Sequence, residues 1–566
     1  MKLKKLIITL TIFSVAFSAC TKRLDSLLND PNSPSLSTAD VDLFLNAEQL
    51  NFNGFWSGAA GIGGQLSRQE YWGGPFYRNT YQPASFDGMW TTAYTGVINT
   101  ANALIPLAQT QKKYIQSGIA KVLKAYTLGT LVDVFGNVPY TEANLGNDNL
   151  TPKVDPGANT YKAVLALLDD AIVDLTKANP AKGPANDLFY NGSAAKWVTC
   201  AKTLKLKFLM STRLVDATAK AKIQALITEN NLINTSANDF QFQYGSNQSS
   251  PDSRHPHYAA DYVNTGGVGE YLSNYFMWMV VAEKYGGNAT LTNSASDPRS
   301  RYYFYRQATN YSWADQTSAP CYGLLTSGTF PAWYPSVPDQ TPFCLIGRGY
   351  MGRDHGDNSG SPPDGNFRTA WGVYPAAGKF DNNDNATVKL GDGGGGKGIN
   401  PIWLSSYTNF LKAEAAITLG IGDARALLNA GVSASITKVL GFPTFVGVTV
   451  PAAAIPSATQ ISNYTNLVLS RYDNAPDDSK RLNVIMSEYF IALWGNGIEP
   501  YNNYRRTGKP ENAQLAVAVA NPGLFMRSFF YPSVFVNRNI NAPAQKDPGN
   551  KAEKVFWDNN PDNFVK

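Results

Sequence analysis

Apolar residues recur with the 3.6-residue period of an α-helix in two separate blocks of this 566-residue chain, and no other feature restricts its fold as strongly. Tyr161, Val164, Leu165, Leu168, Ala171, Ile172 and Leu175 form one such stripe. Ile119, Val122, Leu123 and Tyr126 form a second, and Trp197, Ala201, Leu204 and Phe208 a third. Trp403, Tyr407, Phe410 and Leu411 read as a fourth, and residues 482–494 as a fifth. Residues 90–109 read as a sixth helix, which Pro106 is expected to kink or end because proline lacks the N–H the helical ladder needs. Trp197, Trp403 and Trp494 lie on these stripes and are expected in the core. The helices concentrate at 90–230 and 400–500. Residues 240–400 are instead rich in Gly, Pro, Asn, Asp, Tyr and Trp, which predicts long surface loops with a few short strands. Loops of that length on a rigid scaffold are where binding residues usually sit.

Composition supports a large folded protein. The hydrophobic fraction is 43% and the charged fraction 16%, enough apolar material for a substantial core and too little charge for a disordered chain. The formal charge is +5, and it falls to +2 if Lys2, Lys4 and Lys5 are removed with an N-terminal leader. Neither the balance nor any later Lys/Arg run suggests a nucleic-acid partner.

That leader is residues 1–19. Lys2, Lys4 and Lys5 give a positive start, an apolar run follows, and Ser18-Ala19 are the small residues before a cleavage point. Phe17-Ser18-Ala19-Cys20 resembles a bacterial lipobox, with Phe17 where Leu is usual. Cys20 is therefore expected to carry the lipid anchor, and the polar, turn-rich stretch over 20–40 to act as a tether. Each buried CH₂ of an acyl chain contributes about 0.8 kcal/mol, so several chains hold a protein firmly on a membrane. Of the other cysteines, Cys200 falls in a helical pattern and reads as a small core residue. Cys321 and Cys344 flank one loop region, and spacing leaves their pairing open.

Chemistry of catalysis is poorly represented. The three histidines are His255, His257 and His355, and His255-Pro-His257 lacks metal-ligand spacing with any third group. No G-x-S-x-G nucleophile elbow occurs. Most of the acidic residues read as turn or helix-surface groups, and a single sequence leaves a glycosidase-type carboxylate pair open. Residues 391–398 fit G-x-x-x-x-G-K but then place Gly398 where a phosphate-binding loop needs Ser or Thr, so they read as a flexible glycine loop. Asp381, Asn383 and Asn385 resemble the start of a calcium loop, but Ala386 stands where its glycine belongs, so a hydrated turn is expected. No catalytic residue, cofactor or metal is expected.

Residues 125–143, AYTLGTLVDVFGNVPYTEA, resemble a signature of the SusD/RagB family of outer-membrane lipoproteins. Further resemblances follow in family order. Residues 187–213 are similar to its Gly…Trp…Leu-Lys-Leu-Arg helix, with Lys207 where Arg is common. Asp297-Pro298-Arg299 is similar to its Asp-Pro-Arg motif, FLKAEAA at 410–416 to its Ala-Glu-Ala helix, and Arg505-Arg506-Thr507-Gly508 to its Arg-Arg-Thr-Gly turn. GRDHGDNSGSPPDG at 352–365, followed by Trp371-Gly-Val-Tyr-Pro375, resembles the signature of one subgroup.

The resemblance implies a mainly α fold, a tetratricopeptide-like stack of helix pairs with a loop-rich irregular lobe. Within one domain over 41–566, the scaffold is expected at about 41–235 and 400–510 and the ligand lobe at about 240–400. It also implies a non-catalytic, surface-exposed outer-membrane lipoprotein. Such a protein binds a glycan or peptide and acts as the lid of a SusC-like TonB-dependent transporter. The rivals are an exported glycan-degrading enzyme and a surface adhesin or structural lipoprotein. Aromatics make up 12% of the chain, and rings in loops stack on the C–H faces of sugars or on peptide side chains. The expected ligand contacts are Tyr71, Trp72 and Tyr77 in one loop, Trp313, Trp333 and Tyr334 in a second, and Arg353 and Asp354 in a third. For the last two, pairing with each other to brace a loop is the alternative.

Overall fold

The computed structural model describes residues 40–566 except 179, 264–267, 286–295, 310–342, 344, 346–347, 359–366 and 518–520. The leader, Cys20 and the tether therefore lie outside the described residues, as do Trp313, Trp333, Tyr334, Cys321 and Cys344.

The principal helices are α1 (Val41–Leu66), α2 (Asn99–Thr110), α3 (Tyr114–Phe135), α4 (Gly157–Leu175), α5 (Ala194–Thr212), α6 (Ala219–Glu229), α7 (Pro256–Tyr262), α8 (Asn274–Val281), α9 (Ser405–Leu419), α10 (Ala424–Val446), α11 (Ala458–Asp473), α12 (Asp478–Ala492) and α13 (Ile498–Thr507). The protein is 53% helix. Local chemistry sets the helix ends. Asp40, Asp423, Ser457 and Asp477 each accept a hydrogen bond from a first-turn N–H, satisfying donors that have no partner within the helix.

Helices adjacent in sequence pack on each other: α3 on α4, α5 on α6, α9 on α10, and α11 on α12. Contacts of α4 with α5 and of α10 with α11 continue each stack, and α5 meets α9, joining the two halves. This is the helix-pair scaffold the resemblance implied. Helix α1 runs across it, packing on α2, α3 and α13. The approach to α13 is close enough that a Cβ at Gly63 would lie 2.4 Å from the Gly497 carbonyl oxygen.

The few strands pin the irregular lobe to the scaffold. β1 (Phe240–Tyr244) pairs antiparallel with β4 (Gly398–Trp403), while β2 (Phe304–Tyr305) pairs with β3 (Ala370–Trp371). Three local expectations need correction. Trp403 closes strand β4 rather than opening a helical stripe, although it is buried, as are Trp197 and Trp494. Pro106 does not end α2, which runs on to Thr110, and a π-helical segment Thr92–Ile98 precedes it. The lobe is also less superficial than its composition suggested, since residues 369–378 are all buried. Backbone groups in that stretch are satisfied by specific partners, such as Ala377 N–H to the Lys397 carbonyl at 2.7 Å and Gly372 N–H to Tyr303 at 2.8 Å.

A buried polar network crosses the centre. Lys207 on α5 donates to Asp133 on α3 at 2.6 Å, and its Nζ lies 3.6 Å from Glu499 on α13. Asp133 also accepts from Trp557 Nε1 at 2.9 Å and from the Tyr161 hydroxyl. Arg505 donates to the Asp133 carbonyl at 2.8 Å and to the Arg527 carbonyl at 2.6 Å. Nearby, Glu414 on α9 is held bidentately by Arg506 and contacted by Arg213 at 3.0 Å. A second node joins Arg299 to Asp297, Tyr464 and Glu488. Acidic residues read from the sequence as surface groups are thus among the most buried in the protein; Asp133, Glu414 and Glu488 are at most 1% exposed. Ionised groups survive such burial only when charge and hydrogen bonds replace the lost water.

Two predictions follow from this packing. Gly63→Ala is expected to cost about 1–3 kcal/mol through overpacking. Gly54→Ala, on the exposed side of α1 with nothing within 4 Å of its Cβ, should instead stabilise by about 0.5–1 kcal/mol; urea unfolding of both variants checks the contrast. Lys207→Ala leaves Asp133 and Glu499 without their shared cation and should cost about 3–5 kcal/mol, read from the same transitions.

Candidate functional site

Three segments meet on one side of the lobe: residues 69–77 after α1, 268–273 before α8, and 350–357. Glu70 and Leu272 form an antiparallel bridge, and Ser273 and Arg353 a parallel one. The Arg353 N–H donates to the Leu272 carbonyl at 3.0 Å, and the Asn274 N–H returns a bond to the Arg353 carbonyl at 2.9 Å. Gly352 permits this contact, because a Cβ there would sit 2.3 Å from the Leu272 carbonyl oxygen.

Extended backbone alternates its side chains, so the joint has two faces. On one, the rings of Tyr71 and Tyr271 meet edge to face, centroids 5.6 Å apart at 65°. The Arg353 guanidinium lies 5.1 Å from both centroids, and that of Arg368 3.9 Å from Tyr271. Arg353 donates to Asp357 at 2.9 Å, and the Tyr71 hydroxyl donates to the Asp357 carbonyl. Tyr71, Tyr271 and Arg368 are half-buried. Burial pushes the Tyr71 phenol up despite Arg353, so it stays a neutral donor.

Trp72 and Tyr77 are placed differently. Trp72 is sandwiched between Tyr77, at 4.7 Å and 15°, and His355, at 4.6 Å and 29°. Both are 1% exposed and present no face to solvent. The Tyr77 hydroxyl bonds His355 Nε2 at 2.8 Å and receives Arg68 at 3.2 Å. Burial drives the His355 imidazole well below its ordinary range, so it is neutral. Asp354 is buried as well; it accepts from Asn274 at 3.2 Å and Gln514 at 2.8 Å. Burial pushes its carboxyl up to about 6 even though those two donors favour the anion. Arg353 and Asp354 therefore brace the loop, through Asp357 and through Asn274 and Gln514 respectively.

On the other face of the joint lie Glu70 and Glu270, with His257 of α7. His257 Nδ1 and Glu270 Oε2 are 2.6 Å apart, and the imidazole stacks on Trp371 at 3.7 Å and 12°. Trp371 stacks on Trp494, which stacks on Phe276, carrying the pile into the core. Burial opposes charge on His257, but Glu270 outweighs it and lifts the imidazolium to about 9. Burial raises Glu70 to about 7, with His257 pulling down and Glu270 pushing up. Glu70 and His257 line a cavity of about 130 Å³ together with Ser57, His255 and Asn400.

The comparison with known proteins bears on this arrangement. The family model described as "Starch-binding associating with outer membrane" matches residues 31–316, and the model described as "Susd and RagB outer membrane lipoprotein" matches residues 396–544. The chain belongs to the SusD/RagB family. No curated protein sequence matches it. Solved structures similar to this SusD/RagB protein include a SusD homologue from Bacteroides fragilis, 17% identical with a TM-score of 0.60 over 92% of this chain and 99% of that one. A SusD/RagB family protein from Bacteroides thetaiotaomicron is 18% identical with a TM-score of 0.61 over 92% of this chain and 100% of that one. A chitin-binding SusD homologue from Flavobacterium johnsoniae is 18% identical with a TM-score of 0.58 over 92% and 99%.

The residues that carried the family resemblance are largely those of the buried network: Asp133, Lys207, Asp297, Arg299, Glu414, Arg505 and Arg506. They hold helices together, whereas the motif at 352–365, with Arg353, and Trp371 lie at the joint. Sequence reasoning missed Tyr271, Arg368, Glu70, His257 and Glu270 as a group. The dipeptide Glu-Tyr occurs at 70–71, 270–271 and 488–489, so its repetition does not single out this group. The two motif-like loops are built into the fold. Asp381 pairs with Arg306 at 2.5 Å and Asn383 accepts from the same guanidinium at 2.6 Å, so that loop serves an arginine. The glycine loop is anchored rather than flexible, through Gly394 N–H to the Ala377 carbonyl at 3.1 Å and His255 N–H to the Gly396 carbonyl at 2.8 Å. Cys200 is buried on α5, where burial pushes its thiol far up and leaves it unreactive.

Truncation separates the packing role of Trp72 from the surface role of Tyr71. Trp72→Ala should cost about 3–5 kcal/mol of stability. Tyr71→Ala should cost about 1 kcal/mol, with the difference visible as distinct thermal melting temperatures.

Proposed function

We propose that this protein is a non-catalytic, lipid-anchored binding protein on the outer face of the outer membrane that captures a glycan and serves as the lid of a SusC-like TonB-dependent transporter. The observation that carries the glycan reading is the half-buried Tyr71–Tyr271 pair with Arg353 and Arg368 against it. Pyranose rings bury their C–H faces on such rings, and a half-buried guanidinium such as that of Arg368 can donate to hydroxyls at the sugar's edge. The family descriptions, starch-binding and outer-membrane lipoprotein, support the ligand class and the address. So does the fold shared with a chitin-binding homologue. Anchoring through Cys20 rests on the lipobox resemblance, and the transporter partner on the family. Trp313, Trp333 and Tyr334 remain proposed contacts from the second loop.

The binding test is calorimetric titration with chitin and starch oligosaccharides. Wild-type protein should bind one class at roughly micromolar to millimolar Kd, weak enough to release cargo. Tyr71→Ala and Tyr271→Ala should each weaken binding roughly 2- to 12-fold, the equivalent of about 0.5–1.5 kcal/mol per stacked ring. Unchanged affinity in both variants would remove the tyrosine pair from the site. Bound oligosaccharides should keep their length on prolonged incubation; shortened products would favour a hydrolase. In cells, Cys20→Ser should abolish fatty-acid labelling, and affinity-tagged protein should co-purify with a barrel protein.

A further inference from the structure

Helix α1 is apolar on two opposite sides. Its core side carries Phe52, Phe55, Trp56 and Ala59, each at most 1% exposed. The other side presents Leu43, Ala47, Leu50, Gly54 and Gly58 to solvent, and their spacing places them on one stripe of the helix. Leu43 is 67% exposed and Leu50 55%. Over its 26 residues α1 has two charged side chains, and neither lies on that stripe. Asp42 pairs with Lys113 at 3.4 Å, and Glu48 is fully buried. A surface helix ordinarily turns charged and polar groups outward, and a helix that is apolar all round is a covered one.

The chain itself supplies the nearest cover. Residues 20–39, which lie outside the described residues, lead directly into α1 at its N-cap Asp40. In that stretch Leu24, Leu27 and Leu28 have the i, i+3, i+4 spacing of one helical face, while Lys22, Arg23, Asp25, Ser26 and Asn29 fall on the others. Asp30-Pro31 is a helix stop, because the residue before a proline disfavours the α region. Residues 30–39, with Pro31, Asn32 and Pro34, have the turn chemistry needed to bring the chain back to Asp40. The lengths also agree. Residues 22–29 as a helix span about 12 Å, and Leu43 to Leu50 span about 10 Å. A segment joined to its target by about ten residues is present there at millimolar effective concentration, ahead of any separate molecule.

We propose that residues 22–29 fold back as a short helix antiparallel to α1 and cover Leu43, Ala47 and Leu50 with Leu24, Leu27 and Leu28. The antiparallel arrangement places Leu28 near Leu43 and the start of the segment near Leu50. Cys20 then stands against the side of α1, about 20 Å from Asp40. The same twenty residues fully extended would reach about 70 Å. Part of the N-terminal stretch is thus a clamp rather than a tether, and the domain rides close to its lipid. The docking is independent of acylation; its consequence for the anchor rests on the reading of Cys20.

The test is the rate of maleimide labelling of Ala47→Cys in the mature protein extracted from membranes, read peptide by peptide. Cys321→Ser and Cys344→Ser form the background, and Leu150→Cys, at a position 74% exposed, is the open reference. Ala47→Cys should label at least about tenfold more slowly than Leu150→Cys, the size expected from burial of one leucine-sized contact. Adding Leu24→Ser, Leu27→Ser and Leu28→Ser should bring the two rates together. The same three substitutions should open Lys22 and Arg23 to trypsin. Equal rates before the serines are added, or slow labelling that survives them, overturn the proposal. Slow labelling that appears only at high protein concentration assigns the face to a second copy, and slow labelling only in a complex with a barrel protein assigns it to the transporter; either result overturns the proposal. If Cys20 carries no fatty acid, the anchor reading fails while the labelling contrast still stands.

Discussion

The contact between Lys207 and Asp133, both almost wholly buried, ties together the parts on which the rest of the structure depends. It joins α3 to α5, and through Glu499, Asn502 and Arg505 it brings in α13, while Trp557 draws in the C-terminal segment. A charge pair at that depth is weak evidence for net stability, because desolvating both ions offsets much of their attraction. Its effect is on alternatives. A helix stack held by apolar contacts alone can slide by a turn at modest cost, whereas here a slide would strand an ion in the core. The Arg506–Glu414–Arg213 and Arg299–Glu488 nodes impose the same condition on α9 and α12.

That fixed frame explains how a lobe with so little regular structure can hold a site. The segments carrying Tyr71, Tyr271 and Arg353 touch one another through two isolated bridges, and each is tied to something rigid. Residues 69–77 follow α1, residues 268–273 lead into α8, and Trp371 rests on Trp494 just beyond the end of α12. A stacking surface for a sugar needs rings held at set spacing, and immobilising them before the ligand arrives reduces the entropy lost on binding.

The protein also separates two uses of aromatic and charged residues that composition lumps together. Trp72, Trp371 and Trp494 are packing elements, each stacked on other rings within the fold. Tyr71 and Tyr271 keep part of their surface toward solvent. The same division holds among the charges. Arg299 and Arg505 are structural, while Arg368 lies half-buried over a tyrosine at the joint. Motif residues that make the family legible belong mostly to the structural group, because a buried ion tolerates few replacements.

The helical blocks could be read from the chain because a helix writes its burial locally. Val164, Leu168 and Leu175 fall on one face by virtue of their spacing alone, and that face is buried. The family could be read too, since its motif residues survive as short strings. The composition of residues 240–400 indicated irregular backbone, but it could not indicate that residues 369–378 would be covered, because that depends on what packs over them. Nor could it show that Trp72 turns inward while its neighbour Tyr71 turns out, a choice made by the Glu70–Leu272 bridge. Tyr71 and Arg353 could be picked out as loop residues, but their assembly with Tyr271, Arg368 and the acid cluster belongs to this second category. Glu70 and Glu270 lie 200 positions apart, and a single imidazole relates them only after the chain has brought three loops to one place. Sequence fixes what is governed by neighbours along the backbone; electrostatic coupling falls with distance in space, and only the folded chain sets that distance.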